Sequence, residues 1–131
     1  MKNKYTLLRL MVGVCLLLLY SCKKDEPLDS IECRITYDIS ATDFTEGDQL
    51  IVDNLKIIPT NPISGVTIKK VEYYLGNKLI ESSTVPPYKL VYSIPSLPIG
   101  SHLLQIDIHL SAEGYANTIV WLKQNINIYE I

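Results

Sequence analysis

The forty residues 71–110, "VEYYLGNKLIESSTVPPYKLVYSIPSLPIGSHLLQIDIHL", decide the fold. At their start Val71, Tyr73 and Leu75 share one side of an extended chain while Glu72 and Tyr74 share the other, because side chains alternate across a strand with a period of two. Gly76-Asn77 follows at once, a two-residue loop whose glycine accepts the positive φ that tight hairpin turns need. The returning strand begins at Lys78. Pro86-Pro87 blocks helix and favours extended backbone, after which Tyr88, Leu90 and Tyr92 alternate with Lys89, Val91 and Ser93. "IPSLPIG" breaks the chain again, and in "SHLLQIDIHL" the residues His102, Leu104, Ile106, Ile108 and Leu110 make one apolar face.

The same rhythm runs outward in both directions. Upstream, Ile31, Cys33, Ile35, Tyr37 and Ile39 alternate with polar residues, Glu46-Gly47-Asp48 supplies a turn, and an Ile- and Leu-rich strand spans about 49–58 before Pro59 and "TNPISG". Downstream, "SAEGYAN" is a turn into a last strand at about 118–129, with Val120, Leu122, Ile126 and Ile128 on its even face. About seven short strands with turn signals every ten residues or so, and no helical period, predict an all-β chain folded as a two-sheet sandwich. At 131 residues there is room for one such domain.

The pattern carried by Val71, Tyr73, Gly76, Pro87, Tyr88, Gly100 and His102 resembles that of bacterial immunoglobulin-like domains, across residues 68–128 or so. The resemblance implies an immunoglobulin-like β-sandwich over residues 31–131, lacking the disulfide of antibody domains. It implies little about function, since this sandwich serves as adhesin, spacer, glycan binder and enzyme accessory alike.

The first thirty residues have a different character. Lys2, Lys4 and Arg9 precede an apolar run from Leu10 to Tyr20, and Ser21 stands just before Cys22. This is the basic, apolar, small-residue order of a cleavable secretory signal, here 1–21. Eleven apolar residues fall well short of the roughly 20 that cross a bilayer. Leu19-Tyr20-Ser21-Cys22 resembles the lipobox of bacterial lipoproteins, which implies a cleaved chain lipidated at Cys22. Two or three acyl chains, at about 0.8 kcal/mol per buried methylene, anchor a protein to a membrane without crossing it. Residues 22–30 then read as a charged tether, in which Lys24, Asp25 and Glu26 resemble the export signal of surface lipoproteins of the Bacteroidota. That resemblance implies display on the outer face of the outer membrane; the alternative is a periplasm-facing domain.

Once the signal is removed, nine basic side chains face fourteen acidic ones. A mildly acidic domain repels phosphate backbones, so nucleic acid is not an expected partner. The composition, 47% hydrophobic and 20% charged, is that of an ordinary globular chain.

Chemistry-bearing motifs are sparse. Cys33 points to the apolar face with no partner cysteine left in the mature chain, and reads as a small core hydrophobe. His102 and His109, seven apart in one strand, fall on opposite faces. His102 is expected as a hydrogen-bonded core histidine and His109 as an exposed polar residue. Asp43, Glu46 and Asp48 have the oxygens for calcium but not the spacing, and an ordinary solvated turn is favoured. No phosphate loop, nucleophile elbow or metal-protease motif is present, so neither an enzyme nor a cofactor is expected.

The aromatic residues carry the candidate site. If the last strand buries its even residues, then Ile119, Trp121 and Tyr129 point outward, as Tyr74 does on its own strand. Such a patch suits a sugar ring or a protein partner. A single bulge would reverse the assignment and bury Trp121 instead. The expected function is that of an outer-membrane surface lipoprotein acting as a noncovalent binding or adhesion module. Alternatives are a glycan-binding accessory of a polysaccharide-capture system and a periplasm-facing assembly subunit that uses an exposed strand edge.

Overall fold

A computed structural model describes residues 28–60 and 63–131. The signal segment 1–21, Cys22, and Lys24, Asp25 and Glu26 of the tether lie outside the described residues. Eight strands follow in order: β1 (Cys33–Ile39), β2 (Asp43–Phe44), β3 (Gln49–Pro59), β4 (Thr67–Leu75), β5 (Lys78–Ser83), β6 (Leu90–Ser93), β7 (Gly100–Ser111) and β8 (Thr118–Ile128). They form a three-stranded sheet, β1-β3-β6, facing a five-stranded one, β2-β8-β7-β4-β5. The chain crosses to the larger sheet for β2 and back for β3, then changes sheets again between β3 and β4, between β5 and β6, and between β6 and β7. This is the Greek-key path of an immunoglobulin-like sandwich.

Seven of these strands are the alternating segments of the sequence. The eighth, Asp43–Phe44, pairs parallel with Asn127–Ile128 and buries Phe44. Two residues carry no period, so this strand has no signature in the sequence. Gly76 and Asn77 form the expected hairpin loop, with φ of 57° and 67°, the left-handed pair that matches the twist of the flanking strands. Pro86-Pro87 departs from expectation. It lies in a turn with a cis peptide bond, and the strand begins only at Leu90.

The core is filled from both sheets. Val71, Tyr73, Leu104, Ile106, Ile108 and Ile126 are fully shielded on the larger sheet, and Leu50, Val52 and Leu90 on the smaller. Each such aliphatic side chain contributes roughly 1.5–3 kcal/mol on leaving water. In β3 the inward residues shift from Leu50 and Val52 to Leu55, which unbroken alternation forbids. An extra residue on β3 opposite Tyr37 resolves the conflict, as the register shift between Thr36 and Asp38 shows. Asn54 takes a φ of 52° there, a conformation asparagine tolerates better than most residues, and its side-chain amide donates to Asp38 Oδ2 at 2.7 Å. The bulge keeps both halves of β3 facing the core.

Tyr73 lies two residues from the end of β4 and is fully buried. Its hydroxyl donates to the Tyr88 carbonyl at 2.5 Å, so the one polar atom of a fully buried side chain is satisfied. Burial, aided by the negative charges of Asp53 and Glu81, pushes the phenol up to about 12.

Candidate functional site: the outward face of the five-stranded sheet

The uninterrupted register of β7 against β8, from Gly100↔Ile128 to Leu110↔Thr118, leaves no room for the bulge that would bury Trp121. Its indole is 58% exposed, and Ile119 and Tyr129 are each 52% exposed. Of the two readings open in the sequence, the outward one is correct.

Rows across the sheet assemble the surface. Trp121 on β8 stands opposite Asp107 on β7, which stands opposite Glu72 on β4. The next row joins Lys123, Gln105 and Tyr74, and the row on the other side joins Ile119, His109 and Lys70. Cross-strand neighbours on one face lie about 5 Å apart, so these nine side chains form one continuous surface.

Polar groups hold its centre. His109 Nε2–H donates to Glu72 Oε1 at 2.6 Å, the Tyr74 hydroxyl donates to Glu72 Oε2 at 3.2 Å, and Lys70 Nζ stands 3.8 Å from Glu72 Oε2. The His109 hydrogen bond is the main reason that the Glu72 carboxyl sits below the usual carboxylate range; the charge of Lys70 and the Tyr74 hydroxyl add to it, and partial burial opposes it. Partial burial, then the charge of Glu72, raises the Tyr74 phenol. Gln105 donates to Asp107 Oδ1 at 2.8 Å. At the edge, Lys123 Nζ rests 5.0 Å from the centre of the Trp121 ring, within cation–π range.

Two sequence expectations need correction here. His109 is not a free surface residue: it is half-buried, because antiparallel pairing of β4 with β7 lays it beside a carboxylate that is 37 positions away in the chain. Nor do the four patch residues form one site. Trp121 and Ile119 adjoin each other, and Tyr74 lies two strands away across the polar row. Tyr129 lies just past the end of β8, eight residues from Trp121, about 26 Å at 3.3 Å per residue. It instead lines a separate cleft with Glu46, Leu97 and Ile99.

Glu72, Asp107, His109 and Gln105 were missed as site residues. Their signal was present, since Lys70, Glu72 and Tyr74 share one face and Gln105, Asp107 and His109 another, but only strand pairing brings the two sets together. A second cleft, of about 420 Å³, opens at the end of this face between Lys69, His109, Asn117 and Ile119, which extends the surface into a concavity.

His102 lies on the opposite face from His109 but is only half-buried rather than part of the core; its Nε2–H donates to the Pro98 carbonyl at 2.6 Å. Cys33 is half-buried, and burial raises its thiol pKa, the reverse of what a nucleophile needs. In the Asp43–Asp48 turn, Asp48 Oδ2 accepts from Thr45 N at 2.8 Å, and Asp43 Oδ1 accepts from Asn127 Nδ2 at 3.1 Å. These carboxylates close the turn and fasten β2 to β8.

No protein-family model matches the chain, and no curated protein matches it in sequence. Among solved structures it is similar to the fibronectin(III)-like modules of Clostridium thermocellum CbhA, with 13% identity and a TM-score of 0.44 over 72% of this chain and 98% of that one. It is also similar to a Jonesia denitrificans lytic polysaccharide monooxygenase, with 16% identity and a TM-score of 0.38 over 68% of this chain and 58% of that one.

Proposed function

We propose that this chain is a membrane-anchored recognition module whose binding surface is the outward face of the five-stranded sheet. Binding is noncovalent, and the ligand class that fits best is a saccharide. The observation that carries this reading is the exposed Trp121 in a row with Asp107 and Glu72, flanked by the row of Lys123, Gln105 and Tyr74. A sugar ring offers apolar C–H faces that stack on an indole and a rim of hydroxyls that exchange hydrogen bonds with planar amides and carboxylates. The polar row is already tied together by His109, Lys70 and Gln105, so little side-chain entropy is lost on binding.

The anchor in this proposal is a lipid on Cys22, followed by a charged tether that carries the domain on the outer face of the outer membrane. Its support is the order of charge, apolar run, small residue and cysteine in residues 2–22, and the Lys24-Asp25-Glu26 triplet after it. Cys22→Ser is expected to move the protein from the membrane fraction to the soluble one, and protease added to intact cells is expected to reach the domain.

The ligand is tested on a glycan array with the full chain. Trp121→Ala is expected to lower the signal at least tenfold, while Tyr129→Ala, on a residue about 26 Å away, leaves it unchanged. Silence of the folded wild type across the array would overturn the saccharide reading.

A further inference from the structure

β8 is bordered by β7 along its whole length, but on its other side β2 covers only Asn127 and Ile128. Asn127 N–H donates to Thr42 O and Tyr129 N–H to Phe44 O, so the odd-numbered residues of β8 direct their backbone groups to that side. The register with β7 contains no bulge. The N–H and C=O groups of Ile119, Trp121, Lys123 and Asn125 therefore point the same way, away from β7. Among the described residues none of them has a backbone partner there; only the Asn125 carbonyl is capped, by the Gln124 side-chain amide at 3.0 Å.

Among the described residues, the segment before β1 does not run along this edge: Ser30 bridges Ala116 in parallel, so Leu28 and Asp29 lie on the side of Ala116 away from Ile119, and Ile31 N–H donates to Thr118 Oγ1 before the chain crosses to β1 in the other sheet. The sandwich is consequently ajar between β1 and β8. Ile35, Tyr37, Val120 and Leu122 are only half-buried at the opening, spanned by the hydrogen bond from the Tyr37 hydroxyl to Gln124 Oε1 at 2.9 Å.

We infer that this edge is closed by the same edge of a second copy of the chain, β8 against β8 in antiparallel pairing about a two-fold axis at Leu122. An unpaired strand edge selects a strand as its partner, and a two-fold axis makes the contact close on itself. The register is set by the residues. With Leu122 opposite its own copy, Trp121 stands opposite Lys123 of the second copy, and the outward-directed backbone groups of these two residues meet as hydrogen-bonded pairs. The lysine and indole that already associate within one chain, at 5.0 Å, then associate across the junction as well, and the half-buried Val120 and Leu122 are covered on the inner side. Two five-stranded sheets become one ten-stranded surface with both Trp121 residues near its middle. This assembly does not depend on the ligand class proposed above.

Crosslinking tests it in the full chain in membranes. In a Cys33→Ser background, Leu122→Cys is expected to give a disulfide-linked dimer under mild oxidant. Residues on the axis form a non-hydrogen-bonded pair about 4.5 Å apart at Cα, within disulfide reach. Gln124→Cys is expected to stay monomeric, because its own copy is four residues, about 13 Å, away. Lys123→Pro removes one edge N–H without touching the β7 ladder, and is expected to weaken association at least tenfold by sedimentation while the monomer keeps its β-sheet circular dichroism. If that variant fails to fold, Lys123→Glu, which removes the cation facing the indole, should weaken association severalfold. A Leu122→Cys chain that labels with maleimide yet remains monomeric under oxidant would overturn the proposal. So would equal crosslinking at Gln124→Cys, or crosslinking of Leu122→Cys to a different protein.

Discussion

The two halves of β8 share one strand, one alternation and one neighbour, yet they differ in depth. Ile126 and Ile128 are buried, whereas Val120 and Leu122, in the same phase, are only half-buried. The difference lies outside the strand. At the Ile126–Ile128 end β2 pairs with the edge and inserts Phe44; at the other end the chain has crossed to β1 in the opposite sheet, and the edge stays open. An alternating pattern therefore reports which face of a strand is apolar, and the neighbours on its edge decide how completely that face leaves water.

The largest test of this contrast is removal of the plug. Phe44→Ala deletes a side chain that is 3% exposed and is expected to cost about 3–5 kcal/mol, measured by urea unfolding of the soluble domain. If it costs less than about 1 kcal/mol, β2 does not close the sandwich, and the two halves of β8 are equivalent. Next comes a matched pair on the strand itself. Ile126→Ala, at 0% exposure, should cost about 2–5 kcal/mol. Leu122→Ala, at the open half, should cost roughly half as much, because less apolar area returns to water. Equal losses would mean that the opening is shut in solution, which self-association would also achieve; repeating the pair at tenfold dilution separates the two cases.

The same contrast explains what the sequence could show. Long alternating segments such as Leu104–Leu110 and Val71–Leu75 are legible because their period matches strand geometry, and the Gly76-Asn77 turn is legible because its backbone demands those residues. β2 is illegible because two residues have no period. The bulge at Asn54 is hidden as well, since Leu50, Val52 and Leu55 read as a broken pattern until an extra residue restores them to one face. The candidate site was half legible. Local counting left Trp121 open between the outward face and the core, and uniting Glu72 with His109 required the register between β4 and β7. Grouping Tyr129 with Trp121 failed for the complementary reason, since sharing a face is not sharing a place.

The smallest expected effect concerns the charge network across the outward face at the open half. Glu72 is held below the ordinary glutamate value of 4.5, first by the hydrogen bond from His109. A carboxylate with a lowered folded-state pKa adds stability that is present above its unfolded value and is lost as pH falls through the folded one. Glu72→Gln keeps the shape and removes the charge, so at pH 7 it should cost no more than about 1 kcal/mol, the scale of a partly solvated ion pair. As pH falls from 4.5 through that lowered value, wild type loses this contribution too, and the two proteins should converge in urea midpoint. A constant gap from pH 7 to pH 3 would mean that Glu72 acts through packing alone. Convergence would show that Glu72 acts through its charge in the row that links Trp121 to β4.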